Sequence, residues 1–381
     1  MNNRIFQSFR KNTGKFVGLV LAAALLAGCG AQGGNSSSAV SSAESGDTSS
    51  MTAENVQEGM KAGWNLGNDL DCIDNQKSGD AAHYESLWGN KPVTLSSIEA
   101  LKDEGFGAVR VPVTWADHIG DDGTIDEACL ERVREVVDYV IDSGMYCILD
   151  AHHDTGENAR INADSASLDE NKEKLTSLWT QIADEFRDYD SHLVFEGFNE
   201  ILDSGNHWTD PDNSCYDTVN ELNQAFVDAV RKTGGNNAER VLLCDAYASG
   251  FNADILGNFE LPDDSAKDRL MVDIHYYGTD TSEMKSVAKR IDKLFTKKGV
   301  PVIIGECGMK NTAGSSNTDE RVTYIKSLVD TMKEAGAVCF WWDDGGSFSS
   351  SDAVNNYALL NRDGGWYFKE IADAMVTEAG K

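Results

Sequence analysis

From Met51 onward the chain repeats one pattern, a short apolar run followed by a longer amphipathic stretch. The runs are Ala62 to Leu66, Ala108 to Val113, Tyr146 to Asp150, Leu193 to Gly197, Val241 to Ala246, Leu270 to His275, Val302 to Glu306 and Val338 to Trp342. Runs this short and this apolar suit strands buried on both faces. Leu95 to Glu104, Glu127 to Ser143, Leu168 to Arg187, Thr218 to Thr233, Ser282 to Lys297 and Thr318 to Ala335 lie between them with helical patterning, and Phe368 to Val376 forms a last helix. Such alternation implies parallel pairing, because a parallel neighbour is reached only through a crossover. Eight strands close a sheet of this kind on itself. The expected fold is therefore α/β, a single-domain (β/α)8 TIM barrel over residues 51–381.

The residues before Met51 read differently. Arg4, Arg10, Lys11 and Lys15 precede the apolar stretch Phe16 to Ala27, the make-up of a signal peptide over residues 1–28. That stretch is too short to span a bilayer comfortably. It ends in Leu26-Ala27-Gly28-Cys29, which resembles a bacterial lipobox and implies lipidation of Cys29; plain secretion with cleavage at a small residue is the alternative. Residues 29–50, rich in Ser, Gly and Ala, are expected to form a disordered tether. The expected location is the extracellular face of a bacterial membrane, reached only through the lipid.

Charge narrows the partners. The net charge is −30, and removing residues 1–28 takes away only positive groups. A chain this acidic lacks the basic patches that nucleic acid requires and suits a neutral substrate. Cys147, Cys244 and Cys339 lie inside strand-like runs and read as small buried thiols, so no disulfide framework is expected.

Active sites of such barrels assemble at the C-terminal ends of the strands. Those ends carry Trp64 and Asn65, Arg110, His152 and His153, Asn199 and Glu200, Tyr247, His275 and Tyr277, Glu306, and Trp342. A carboxylate at the end of a buried strand needs a pocket to hold it. Two of them on one closed sheet are the minimum equipment for cleaving a glycosidic bond. His152, His153 and Asp154, with Asp150 and His275, could instead form a metal cluster. Because the other strand ends suit sugar chemistry, neither a metal nor a cofactor is expected.

The segments Phe106-Gly107-Ala108-Val109-Arg110-Val111-Pro112-Val113-Thr114-Trp115, Asp150-Ala151-His152-His153-Asp154, Phe195-Glu196-Gly197-Phe198-Asn199-Glu200, His275-Tyr276-Tyr277 and Gly305-Glu306 together resemble glycoside hydrolase family five. Ala62-Gly63-Trp64-Asn65-Leu66-Gly67-Asn68 and Glu85-Ser86-Leu87-Trp88-Gly89-Asn90 resemble its bacterial endoglucanase and xyloglucanase branch. The resemblance implies a barrel that cleaves β-glycans with retention, with Glu200 as general acid/base and Glu306 as nucleophile. Arg110 and the Tyr277 hydroxyl are then expected to keep Glu306 ionised, and Glu200, beside Asn199 and His275, to stay protonated. Asn199 is expected to bond the sugar 2-hydroxyl, and Asn65, His152 and His153 to line the cleft. One tryptophan of Trp341-Trp342 should floor the cleaved sugar; alternation lets only one face inward, and Trp342 is chosen. Trp64, Trp88, Trp115, Trp208 and Tyr247 are weaker subsite candidates, while Trp179 reads as packing.

The chain departs from the family pattern in places. Ile201 follows Glu200 where proline is usual, and Asp344 and Asp69 are additional acids expected near the cleft. The resulting expectation is a monomeric endo-β-1,4-glucanase acting by double displacement on a β-glucan, with xyloglucan, mixed-linkage glucan or mannan as alternative substrates. The rival from another class is a two-lobed, sugar-binding lipoprotein of an uptake system.

Overall fold

The computed structural model describes residues 51–74, 80–312, 317–345 and 357–381. The expected signal segment, Cys29 and the tether lie outside the described residues. The strands are β1 (Gly63–Leu66), β2 (Ala108–Val111), β3 (Tyr146–Asp150), β4 (Leu193–Glu196), β5 (Leu242–Asp245), β6 (Leu270–Tyr276), β7 (Val302–Cys307) and β8 (Ala337–Asp343). They pair in chain order, all parallel, and β1 pairs with β8 to close the barrel. The helices are α1 (Ala53–Met60), α2 (Ala81–Ser86), α3 (Leu95–Glu104), α4 (Glu127–Asp142), α5 (Leu168–Glu185), α6 (Ser214–Thr233), α7 (Ala253–Asn258), α8 (Thr281–Leu294), α9 (Thr318–Glu334) and α10 (Lys369–Ala379).

Alternation along the strands sorts their side chains into two sets. Ala108, Ile148, Val194, Leu243, Met271, Ile303 and Phe340 meet inside the barrel. Their neighbours Val109, Cys147, Phe195, Cys244, Val272 and Ile304 face outward and pack under the helices. Helix α4 shows the matching face: Val133, Val136, Val137 and Val140 are buried at helical spacing, and the Asp126 side chain caps the first turn by accepting from the Cys129 amide.

Helix α1 was not legible in the sequence. It is only eight residues long, and a Thr52–Asn55 capping box holds its start. Val56 and Met60 pack against the interior layer, so α1 plugs the N-terminal end of the barrel. Helices α2 and α7, six residues each, were also missed, being too short to show a period. All seven described cysteines are free and buried.

One irregularity positions chemistry. Ile303 points into the barrel, so plain alternation turns Ile304 out, Gly305 in and Glu306 out. The register between β6 and β7 steps from Ile274↔Ile304 to His275↔Glu306, and β8 shows the same shift. One extra residue in β7 forms a bulge, which rotates Glu306 back toward the interior. The bulge has room only because residue 305 is glycine, since a Cβ there would stand 2.2 Å from an Asp273 carboxylate oxygen.

Candidate active site

Above the apolar interior layer the inward positions turn polar, and Asn65, Arg110, Asp150, Glu196 and Asp273 are all fully buried there. Arg110 organises them. Its Nε donates to Glu196 at 2.7 Å and its Nη2 to the other Glu196 oxygen at 2.5 Å, a bidentate pair. Nη1 donates to Asn65 at 3.0 Å and Glu306 at 2.9 Å, and Nη2 also to Asn199 at 2.9 Å. Asp150 lies 2.7 Å from Nη2. A buried guanidinium is tolerable only with its donors engaged in this way. Asn65 in turn donates to the Gly305 and Trp341 carbonyls, tying β1 to the bulged strand and to β8.

The two glutamates sit at the barrel mouth under different constraints. Glu306 is 5 % exposed, accepts from Arg110, and accepts from the Tyr277 hydroxyl at 2.8 Å. Glu200 holds a left-handed backbone, φ 43°, that a non-glycine residue adopts at a cost. Its amide donates to Ser249 at 3.1 Å, which helps fix that turn. His275 stands between the acids: Nδ1 is 2.8 Å from Glu200 and 3.6 Å from Glu306. Carboxylate oxygens of Glu200 and Glu306 and a His275 ring nitrogen all lie within 4.8 Å of one another.

The resting charges differ from the sequence expectation. Burial pushes the Glu306 carboxyl up, the His275 charge pulls it down, the Glu200 charge pushes it up again, and it ends above the ordinary value. Burial also pushes Glu200 up, but the hydrogen bond and charge of His275 outweigh it and leave the carboxyl below the ordinary value. For His275 burial favours the neutral ring, yet Glu306 and Asp273 hold it well above the usual range. The resting proton therefore sits on His275 rather than on Glu200. The physical reason is that the Arg110 charge is divided among Glu196, Asp150 and Glu306, while His275 lies closest to Glu200.

Around the acids, Trp342 faces the mouth and stacks on His152, with ring centroids 5.6 Å apart and planes 5° apart. It lies close over the backbone at Gly67, where a Cβ would come within 2.6 Å of the indole. Trp341 points the other way, fully buried, with the Arg321 guanidinium over its ring. His152 Nδ1 pairs with Asp150 at 2.8 Å. His153, 32 % exposed, lies beside Trp88, with its Nε2 3.9 Å from Asp71. Asn199 Oδ1 is engaged by Arg110, which aims its amide NH2 away from the guanidinium.

A family model for cellulase (glycosyl hydrolase family 5) matches residues 72–347. The chain belongs to glycosyl hydrolase family 5. Endoglucanase A of Clostridium longisporum is 33 % identical over 352 residues, which are 86 % of this chain and 66 % of that protein, so the chain spans just under two thirds of this relative's length. A broad-specificity family 5 endoglucanase from Ruminococcus champanellensis, solved with bound cellotriose, superposes with a TM-score of 0.80 at 36 % identity, covering 86 % of this chain and 98 % of that one. A family 5 enzyme from Prevotella bryantii in complex with a xyloglucan tetradecasaccharide gives 0.78 at 33 % identity, covering 86 % and 99 %. The closed barrel is the fold of this family, not the two-lobed architecture of a solute-binding protein.

Within this family 5 site several strand-end residues turn out to be structural. Trp64 and Trp115 are fully buried, their indole N–H groups donating to Asp343 and to the Asp150 carbonyl, and the Tyr247 hydroxyl donates to the His207 carbonyl. Their outward register, or their place beneath a loop, removes them from the cleft. Asp69 is also fully buried, in a 2.5 Å pair with Arg362, so it adds no charge to the cleft. Trp88 and Trp208 remain exposed, at 42 % and 43 %, and Trp179 packs in the core. The suggested metal cluster of His152, His153 and Asp154 with Asp150 and His275 does not form: Asp150 is engaged by Arg110 and His152, Asp154 accepts from the Trp115 amide, and His275 is on Glu200. Asp71, His152 and His153 do come within 4.8 Å of one another, as do Glu196, Asp245 and Asp273. Sequence reasoning missed Glu196, Ser249, Asp245 and Asp273. For Asp273 the signal was its place two residues before His275, on the same face of β6.

Proposed function

We propose that the protein is an endo-β-1,4-glucanase that hydrolyses β-glucan by double displacement, with Glu306 as nucleophile and Glu200 as general acid/base. The observation that carries this reading is the approach of the two acids to within 4.8 Å at their oxygens. Retaining catalysis places its carboxyl groups about 5–5.5 Å apart, whereas inversion needs about 6.5–9.5 Å to admit a water between acid and sugar. In the first step Glu306 attacks the anomeric carbon, and the bond to the leaving oxygen breaks as that oxygen takes a proton from Glu200. The His275–Glu200 pair holds the proton, which crosses the 2.8 Å contact to Glu200 as the sugar displaces water. In the second step Glu200 accepts a proton from water, which attacks the glycosyl ester and frees Glu306. Asn199 donates to the sugar 2-hydroxyl, a bond that tightens as positive charge develops on the ring.

Trp342 supplies an apolar floor for the sugar at the cleavage point, with His152 and His153 alongside, while the fully buried Asn65 acts from behind by holding Arg110. The exposed Trp88 and Trp208, on loops at the same end of the barrel, extend the platform toward neighbouring sugars. Cellulose-type β-1,4-glucan is the favoured substrate. Xyloglucan is the second reading, supported by the xyloglucan-bound Prevotella relative. Residues 1–50 support export, lipidation at Cys29 and a tether on the outer face of the membrane.

Two variants test the roles. Glu306→Ala is expected to abolish turnover even of an activated aryl β-glycoside, because no leaving group replaces the missing attack. Glu200→Ala is expected to fail on polysaccharide, keep glycosylation by the aryl glycoside, and yield a β-glycosyl azide when azide is added. An α-azide from Glu306→Ala, with no β-azide from Glu200→Ala, exchanges the roles; a wild-type product of inverted configuration discards double displacement. Reducing-end release across carboxymethylcellulose, xyloglucan, mixed-linkage glucan and mannan ranks the substrates.

A further inference from the structure

Behind the barrel mouth lies a group of buried acids that the proposed chemistry leaves unused. Asp273 on β6 and Asp245 on β5 are fully buried, and among the described residues no donor meets Asp273 Oδ1 or Asp245 Oδ2. Carboxylate oxygens of Asp245, Asp273 and Glu196 come within 4.8 Å of one another. Glu196 is satisfied by Arg110, Asp273 faces the His275 ring, and Asp245 is met by the neutral Ser249 hydroxyl. Two ionised carboxylates repel strongly in a fully buried site at this range, whereas one proton between them converts the repulsion into a hydrogen bond.

Asp273 is also connected to the acid/base. Its Oδ2 lies 3.0 Å from His275 Nε2, and His275 Nδ1 lies 2.8 Å from Glu200. The imidazole thus has a carboxylate at each nitrogen, one buried and one at the mouth. Asp245 reaches Glu200 by a second route: its Oδ1 accepts from Ser249 at 3.0 Å, and Ser249 Oγ accepts from the Glu200 amide. The β7 bulge makes space for Asp273, since any side chain at residue 305 would overlap its carboxylate.

We propose that Asp245 and Asp273 share one proton, and that the remaining charge on Asp273 makes it a positioning residue, acting through His275 to keep a proton available to Glu200. This rests on the acid/base reading of Glu200. The residual negative charge stabilises the extra proton on the His275–Glu200 pair, so the pair keeps it to higher pH. Asp245 is the member that carries the shared proton: burial, then Glu196 and Asp273, push its carboxyl well above the ordinary range. Asp273 is driven up by burial but brought below the ordinary value by the His275 charge and by donors that include Asp245. The other groups facing His275 are Glu200, Glu306 and Tyr277 at the mouth and Arg110, Glu196 and Asp150 beside it; all are retained in the variants below.

The test is Asp273→Asn, which preserves size beside Gly305, compared with Asp245→Asn, which preserves a neutral donor toward Asp273 and the acceptor for Ser249. Asp273→Asn is expected to move the alkaline limb of kcat/KM on polysaccharide down by about one pH unit, the effect of removing a nearby charge. The same variant is expected to lower the His275 titration, followed by 15N NMR, by a similar amount. Asp245→Asn is expected to leave both within a few tenths of a unit. Equal downward shifts in the two variants would mean that both acids were ionised, which overturns the shared proton. An unmoved His275 titration in Asp273→Asn overturns the positioning role. The NMR titration needs no turnover, so a shifted His275 together with a Glu200→Ala enzyme that still cleaves polysaccharide condemns the acid/base reading alone. If Asp273→Asn does not fold, a neutral His275 ring in the wild-type protein at pH 7 refutes the proposal by itself. Stoichiometric divalent metal in the purified wild type, lost in Asp245→Asn, would replace the shared proton with an ion and overturn it equally.

Discussion

Tyr277→Phe isolates one of the two donors that stabilise the charge on Glu306. The hydroxyl donates to Glu306 Oε2 at 2.8 Å, while Arg110 holds Oε1 and stays in place. A hydrogen bond to a charged group contributes about 1.5–3 kcal/mol. At about 1.36 kcal/mol per pH unit, its loss raises the Glu306 pKa by about 1–2 units. Tyr277 is only half-buried, so water replaces part of the bond and the lower figure, about one unit, is the expectation. The sign follows from the donor favouring the carboxylate: without it Glu306 stays protonated to higher pH. Since burial already holds this carboxyl above its ordinary value, the acid limb of the rate profile should be its titration. The assay is kcat/KM against pH on an aryl β-cellobioside, where the good leaving group frees the profile from the acid. The acid limb should move up by about one unit in Tyr277→Phe. An unmoved limb, or one displaced to lower pH, would refute the assignment of Glu306 as the anion that must be free to attack.

Gly305→Ala should lower the denaturant midpoint by an amount equivalent to about 1–3 kcal/mol and reduce turnover, because the new Cβ overlaps Asp273 and disturbs the bulge that aims Glu306; a wild-type midpoint and rate would refute the close-approach argument. Cys29→Ala should release the protein from the membrane fraction or stall its processing, as seen by fractionation and immunoblot, and an unchanged membrane distribution would remove the lipid anchor. Prolonged chelation should leave activity intact, since carboxylates and a polarised sugar suffice; loss with recovery on adding a divalent ion, at unchanged melting temperature, would bring a metal into the reaction, with Asp71, His152 and His153 among the groups able to hold it.

Local pattern was enough to read the barrel, because strand and helix periods are set by the residues that carry them. The boundaries of β3 and α3 agree to the residue with the apolar run Tyr146 to Asp150 and the amphipathic stretch Leu95 to Glu104. The polar residues at the strand ends were legible for the same reason, as was the rule that only one of Trp341 and Trp342 faces the mouth; that it is Trp342 was decided by the structure. Three features were decided only in space. Strict alternation points Glu306 out of the barrel, and only an inserted residue in β7, accommodated by Gly305 opposite Asp273, turns it in. Trp64, Trp115 and Tyr247 occupy strand ends as plausibly as Trp342 does, yet their polar atoms find partners on other strands and loops, which buries them. The charge order of the two glutamates was read from nearest motifs, but it depends on one arginine divided among acids of β3, β4 and β7 and on one histidine backed by β6. Electrostatic interaction acts through distance, and folding brings together charges far apart in the chain, 196 residues for Arg110 and Glu306.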